Sequence, residues 1–427
     1  MSIPLDRLYH YIESIAQAIR KDNVVIYRFY PYGSKKTIDL SRLSLYNTKE
    51  MLLNPHIYCN DQEPLNYKFY SESSGLSPEL KLLYEKNNFN LSIDLNFRDG
   101  MANIYNQAIL LHSEKRSKNL ESYKNNHWIT VYYWSHAVIA RDWFRYAEHI
   151  KPKKNIQKTF LIYNRAWSGT REYRLGFADQ LIIKDLVDHV IMRVSPIDST
   201  LDKHYDLHHF ELPHWRPHNV IEKHFPLCTA ESYYSADFDI KDYESTDIEI
   251  VLETLFDDLR LHLTEKTLRP IAMGQPFLLA GTYGSLNYLR GYGFKTFGNC
   301  WDESYDMITD SVDRMNKIIE VMKNIVSMPM VKRKEMLTTA QAIADYNKKH
   351  FFSNKFQTRV LNELKENLQQ AFIILEKTNT STRFLNWYKK LANYPEIKNN
   401  LRFKDRQELA NTIIKARQYY LRTLSKD

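Results

Sequence analysis

Thr264-Glu265-Lys266-Thr267 is the most chemically suggestive run in the chain. Thr264 is placed to cap a helix, Gly274 to end it and Pro276 to open an apolar strand over 277–280. A first-turn carboxylate can accept ribose hydroxyls. The neighbouring ammonium and the unbonded amides of that turn present positive charge to a diphosphate. This is the layout of a nucleotide-sugar donor site, although a surface helix with solvated Glu265 and Lys266 shares the spacing.

A second basic segment supplies company. A strand over 159–163 runs into Asn164-Arg165-Ala166-Trp167-Ser168-Gly169-Thr170, and a helix over 171–183 carries Arg171, Glu172 and Arg174 in its first turn. Arg165 and Arg171 can grip phosphate in bidentate fashion, or they can pair with nearby acids. Asp237-Phe238-Asp239 has the spacing of a metal-binding Asp pair, but Asp242 and Glu244 make it an acidic stretch, and no metal is expected. Among His204, His208, His209, His214 and His218, Pro213 and Pro217 break helical ligand spacing, which leaves a polar loop. The phosphate loop, the dinucleotide Gly-x-Gly-x-x-Gly and the Gly-x-Ser-x-Gly elbow are all absent, disfavouring those classes.

The elements that must position these groups read as α/β, with short β-branched runs alternating with helical patterns. After a helix over 5–20, candidate strands at 24–30, 56–59, 108–111 and 128–134 are each followed by polar residues. Ligands bind at the carboxyl ends of parallel strands. Asp61, Glu63, Glu114 and His136 therefore qualify as candidate bases on one wall of a cleft. The charged, Pro-containing stretch 151–155 reads as a lobe boundary. Expected are an N-terminal Rossmann-like lobe over 1–150, a C-terminal one over 155–330 and a helical, basic region over 331–427 packing across the lobes.

The chain's 427 residues suffice for two cores. No signal peptide is expected, and no apolar run approaches the roughly 20 residues of a membrane span. Three scattered cysteines, Cys59, Cys228 and Cys300, suit free thiols in a reducing cytoplasm. The net charge of +8 is concentrated in residues 378–427, which hold eleven Lys or Arg against four acids. Lys389, Lys390, Arg402, Lys404 and Arg406, interleaved with Trp387, Tyr388 and Phe403, could neutralise phosphates and stack on bases, or form the solvated face of a helical tail.

Residues 264–281, with Leu286, 289–290, 293–297 and 302–306, resemble the C-terminal half of phage-encoded glycosyltransferases of the two-lobed GT-B type. A weaker likeness extends to exostosin and fucosyltransferase donor domains. Segments 164–174, 135–137 and 142–143 look like parts of the same viral family. The likeness spans about 62–310 and stops short of the basic tail.

The resemblance implies transfer of a sugar from a nucleotide-diphosphate donor, with UDP-sugar expected, and no metal or other cofactor. Carried over by residue, Glu265 would bind the ribose, Lys266 with Arg165 and Arg171 the diphosphate, and Thr267 a phosphate oxygen. Glu114 or Asp61 would be the catalytic base, with His136 and Glu63 next. The favoured acceptor is a hydroxymethylated or sugar-modified pyrimidine flipped out of double-stranded phage DNA in the host cytoplasm. A glycan or protein acceptor, or a non-catalytic nucleic-acid-binding protein, are the competing readings. The sugar, the stereochemistry and the oligomeric state stay open.

Overall fold

The computed structural model describes residues 5–19, 25–28, 56–59, 108–117, 129–198, 201–225 and 237–378. By its contacts the chain divides into two units, one spanning His136–Val360 and the other Leu5–Ser135 with Leu361–Asp427.

In the latter unit, helix α1 (Leu5–Ile19) buries Leu8, Ile12 and Ala16, a four-residue repeat that makes one apolar stripe. Strands β1 (Val25–Arg28), β2 (His56–Cys59), β3 (Ala108–His112) and β4 (Ile129–Tyr132) form a parallel sheet in sequence order. Helix α2 (Ser135–Trp143) follows and belongs, from its second residue on, to the other unit.

The second unit holds β5 (Lys158–Asn164), α3 (Tyr173–Ile183), β6 (Val190–Val194), the small antiparallel pair β7 (Ile197–Asp198) and β8 (Lys203–His204), α4 (Ile240–Glu244) and β9 (Thr246–Leu252). Then come α5 (Glu265–Met273), β10 (Phe277–Ala280), α6 (Ser285–Gly291), α7 (Ser311–Ser327) and α8 (Met330–Phe352), with α9 (Asn354–Thr378) crossing the division. Its four-stranded sheet has the order β10-β9-β5-β6, every pair parallel. All four residues of β10 are buried, the continuous apolar run of a strand covered on both faces. Each of Phe277, Leu278 and Leu279 contributes about 1.5–3 kcal/mol by leaving water. The fold is thus α/β with parallel sheets. Among the described residues no helix is long and apolar enough to cross a membrane.

The division falls elsewhere than the 151–155 break. That stretch is tied into the second unit: Lys154 Nζ donates to the carbonyls of Tyr243 and Thr246 at 2.9 and 2.8 Å, and Asn155 N donates to Glu244 O at 2.8 Å. Nor does α8 stand apart as a separate region. Helix α8 is held to the second unit by Gln341 Nε2 on Gly274 O, by Lys348 Nζ on Ile150 O and by Asn347 bonding both backbone groups of Lys295. Its C-terminal carbonyls at Phe351 and Phe352 accept from the Arg141 guanidinium at 2.5 and 2.6 Å. Asn367 on α9 donates instead to Tyr132 O, in the other unit.

Two close approaches fix α3 and α5. A Cβ at Gly176 would stand 2.8 Å from the Trp215 ring, so only glycine lets α3 lie this near the 213–215 turn. Gly274, at φ 70°, closes α5 in the left-handed conformation, as its position in the sequence predicts. Beneath α5 runs a buried polar chain. Arg269 pairs with Glu249 at 2.6 Å and lies over the Tyr163 ring, Tyr243 donates to Glu249, and Tyr163 donates to Asp242. Burial alone would lower the Arg269 guanidinium, but Glu249 and the two tyrosines hold it raised.

Because Glu249 is fully buried, Arg269→Ala should cost about 3–5 kcal/mol of unfolding free energy in urea titrations. Pairing Arg269→Met with Glu249→Leu should recover most of that loss. A loss below about 1 kcal/mol for the single variant would contradict the dependence described here.

Candidate functional site

Strand β5 pairs with β6 on one side and with β9 on the other, so the connections from neighbouring strand ends leave in opposite directions. Such a reversal opens a crevice at the carboxyl edge of a parallel sheet, where ligands of open α/β sheets bind. The segment after β5 (165–171), the segment after β9 (253–264) and the first turn of α5 meet there. Arg174, on the first turn of α3, stitches them together. Its Nη1 donates to Ala166 O at 2.7 Å and its Nη2 to Leu252 O and Glu253 O at 2.8 and 2.9 Å.

Helix α5 begins as its sequence predicts, with Thr264 Oγ1 accepting from Lys266 N at 3.3 Å. A second cap was not foreseen. Glu253, fully buried at the end of β9, accepts from Thr264 N at 2.9 Å, Thr264 Oγ1 at 2.7 Å, Thr267 N at 3.3 Å, Thr254 N at 3.0 Å and the Thr267 hydroxyl. The chain's own carboxylate therefore takes the Thr264 and Thr267 amides at the helix end expected to face a diphosphate, and Thr264 Oγ1 takes that of Lys266. Thr267, fully buried and bonded to Glu253, anchors the helix instead of offering its hydroxyl to a phosphate oxygen. The traceable signal was an acid directly after an apolar strand and ahead of a Thr-x-x-Thr helix start.

Glu265 is 1% exposed. Its carboxylate lies 2.6 Å from Lys266 Nζ and 3.3 Å from His136 Nδ1. Burial alone would raise its pKa, but Lys266 and His136 outweigh burial and hold the carboxyl well below the ordinary range. Burial lowers the Lys266 ammonium, and Glu265 raises it part of the way back. His136 also packs edge-on against the His262 ring at 4.9 Å. The sequence places His136 with the N-terminal candidate bases; it belongs instead to the unit of α5, fully buried against Glu265, because α2 packs with that unit from its second residue.

Of the expected phosphate-gripping arginines, Arg171 joins this group and Arg165 turns away. Arg171 donates from Nε to Ser168 O at 3.1 Å. Burial and then neighbouring Arg174 lower its pKa to about 10, against the opposing pull of Asp198 and Glu265. Arg165 Nη2 donates to Asp237 O at 3.0 Å. Asp198, fully buried, accepts from Trp167 N and Ser168 N at 2.7 and 2.8 Å, so the loop amides too are held by an internal carboxylate. Arg171 and Lys266 thus lie by Glu265, with Arg174 neighbouring both cations.

The remaining candidates fall elsewhere. Glu114 follows β3 in the other unit, 3% exposed, its carbonyl accepting from His112 Nδ1 at 3.0 Å. Asp61, Glu63, Lys389, Lys390, Arg402, Lys404 and Arg406 lie outside the described residues. Asp239 caps α4 through Lys241 N. His204, His208 and His214 each face a carboxylate, of Glu222, Glu172 and Asp257 respectively. Among the described residues no group of three or more His, Cys, Asp or Glu is arranged to hold a metal ion.

No protein-family model matches the chain, and no curated protein matches it in sequence.

A carboxyl held below its unfolded value stabilises the fold above that value and loses the stabilisation as pH falls through its folded pKa. Wild-type stability should therefore decline from about pH 4.5 downward, and Glu265→Gln should flatten that part of the profile. Equal acid-side slopes for the two proteins in thermal melts would remove Glu265 from the account.

Proposed function

We propose that the protein is a glycosyltransferase of the GT-B type, moving a sugar from a nucleotide-diphosphate donor, preferably a UDP-sugar, to a hydroxyl acceptor. The observation that carries this reading is the gathering of three cations at the switch point of a parallel sheet, Lys266 and Arg171 by the Glu265 carboxylate and Arg174 beside both. Two four-stranded parallel sheets in separate units support the two-lobed assignment.

The chemistry follows from charge. As the bond from sugar to phosphate breaks, negative charge builds on the leaving diphosphate, and fixed cations lower that barrier. Arg171, with a pKa of about 10, keeps its proton at neutral pH, and Glu265 offsets part of the lowering that burial imposes on Lys266. With the Thr264 and Thr267 amides engaged by Glu253, the diphosphate is bound chiefly by these side chains. The deprotonating base remains a proposal centred on Glu114 or Asp61. The acceptor we favour is a hydroxyl-bearing base of phage DNA, supported by the eleven basic residues of 378–427.

Arg171→Ala and Lys266→Ala should each weaken UDP binding by about tenfold or more, as expected for loss of a charged hydrogen bond. Calorimetric titration reads this; without nucleotide the melting temperature should stay close to wild type for Arg171→Ala and fall for Lys266→Ala, which leaves the buried Glu265 carboxylate without its nearest cation. Unchanged affinity in both variants removes the diphosphate site.

For the acceptor, radiolabelled sugar should enter hydroxymethylated duplex DNA. Duplex affinity should fall steeply with salt and with deletion of 378–427. Label appearing only in glycan or protein would redirect the acceptor, and no transfer from any nucleotide sugar would defeat the enzyme reading.

A further inference from the structure

Asn164 ends β5 with its side chain fully buried, yet neither atom of its carboxamide hydrogen-bonds to another residue. A buried amide in that condition carries its full desolvation cost, and nothing in the strand demands one. Phe160 and Ile162, on the same face by the two-residue repeat, are apolar and fully buried. A second donor close by is also unspent. Arg174, 2% exposed, uses Nη1 and Nη2 on backbone carbonyls, while its Nε–H donates to nothing. The two groups share a neighbour. Ile162 lies beside Ile250 in the parallel register, which brings Asn164 level with Leu252, and the Leu252 carbonyl is one that Arg174 holds.

We infer that Asn164 Nδ2 and Arg174 Nε are the recognition donors for a phosphoryl oxygen of a ligand bound at the switch point. The inference rests on the nucleotide-diphosphate reading and deepens it to named atoms. A carboxamide suits this position because it adds a donor without adding another cation beside Arg171, Arg174 and Lys266, which already repel one another. A ligand oxygen reaches a fully buried amide only when adjoining chain yields. Gly169 and Thr170 are exposed, and Gly169 sits at φ +60° with nothing within 4 Å of where a Cβ would stand.

The full-length protein and its Asn164→Leu and Asn164→Asp variants would be titrated with inorganic pyrophosphate and with UDP by calorimetry, and melted without ligand. Both variants should bind each probe at least tenfold more weakly. Asn164→Leu should melt at or above the wild-type temperature, since it removes an unpaired buried amide. If wild type binds the probes and both variants bind equally well, the role of Asn164 is overturned while the nucleotide reading stands. If wild type binds neither probe, both are overturned. Weaker binding accompanied by a large loss of melting temperature in both variants would mark a structural role and also overturn the inference. Should Asn164→Leu fail to fold, the near-isosteric Asn164→Asp decides.

Discussion

The organisation of the second unit depends on one buried anion. Glu253, at the end of β9, satisfies the backbone and hydroxyl donors of Thr264 and Thr267 and so fixes where α5 begins. A carboxylate buried without partners would shed its charge or unfold its surroundings, whereas one that accepts several short hydrogen bonds at a helix N-terminus is held in place by all of them. Once α5 is seated, Glu265 and Lys266 have only one place to be. Arg174, bonded to the Glu253 carbonyl, ties α3 to the same point.

A pattern follows from that arrangement. Two sets of backbone amides that could hold a phosphate are occupied by internal acids, Glu253 at α5 and Asp198 at the loop after β5. For the diphosphate we propose, the charge is then carried chiefly by side chains, Arg171 and Lys266 with Arg174 beside both, balanced in part by Glu265. Side chains can adjust to a ligand where amides cannot. The site therefore combines a rigid frame, locked by buried carboxylates, with cations whose charge depends on what lies next to them.

Much of the frame was readable from local signals. The strands 56–59 and 277–280, the helix start at Thr264 and its stop at Gly274 appear where the sequence places them, because caps, left-handed glycines and apolar runs act over a few residues. Glu253 and Asp198 were missed for the opposite reason. An acid beyond a strand end looks solvated until the segments that bury it are folded around it. His136 was misplaced in the same way, since its nearest chain neighbours form β4 while its contacts are with α5. Lys154 likewise looks in the sequence like part of a charged linker, yet it spends its ammonium on backbone carbonyls of the second unit.

Gly176 adds a geometric condition to all of this. The approach of α3 to Trp215 is set by a hydrogen atom where every other residue carries carbon, and Arg174 lies on that helix two positions earlier. The guanidinium that bridges three carbonyls is therefore placed by a contact it does not make. Tolerances at the sheet edge are inherited from an aromatic ring behind the helix, and the chemistry in front can be no better aligned than that seating allows.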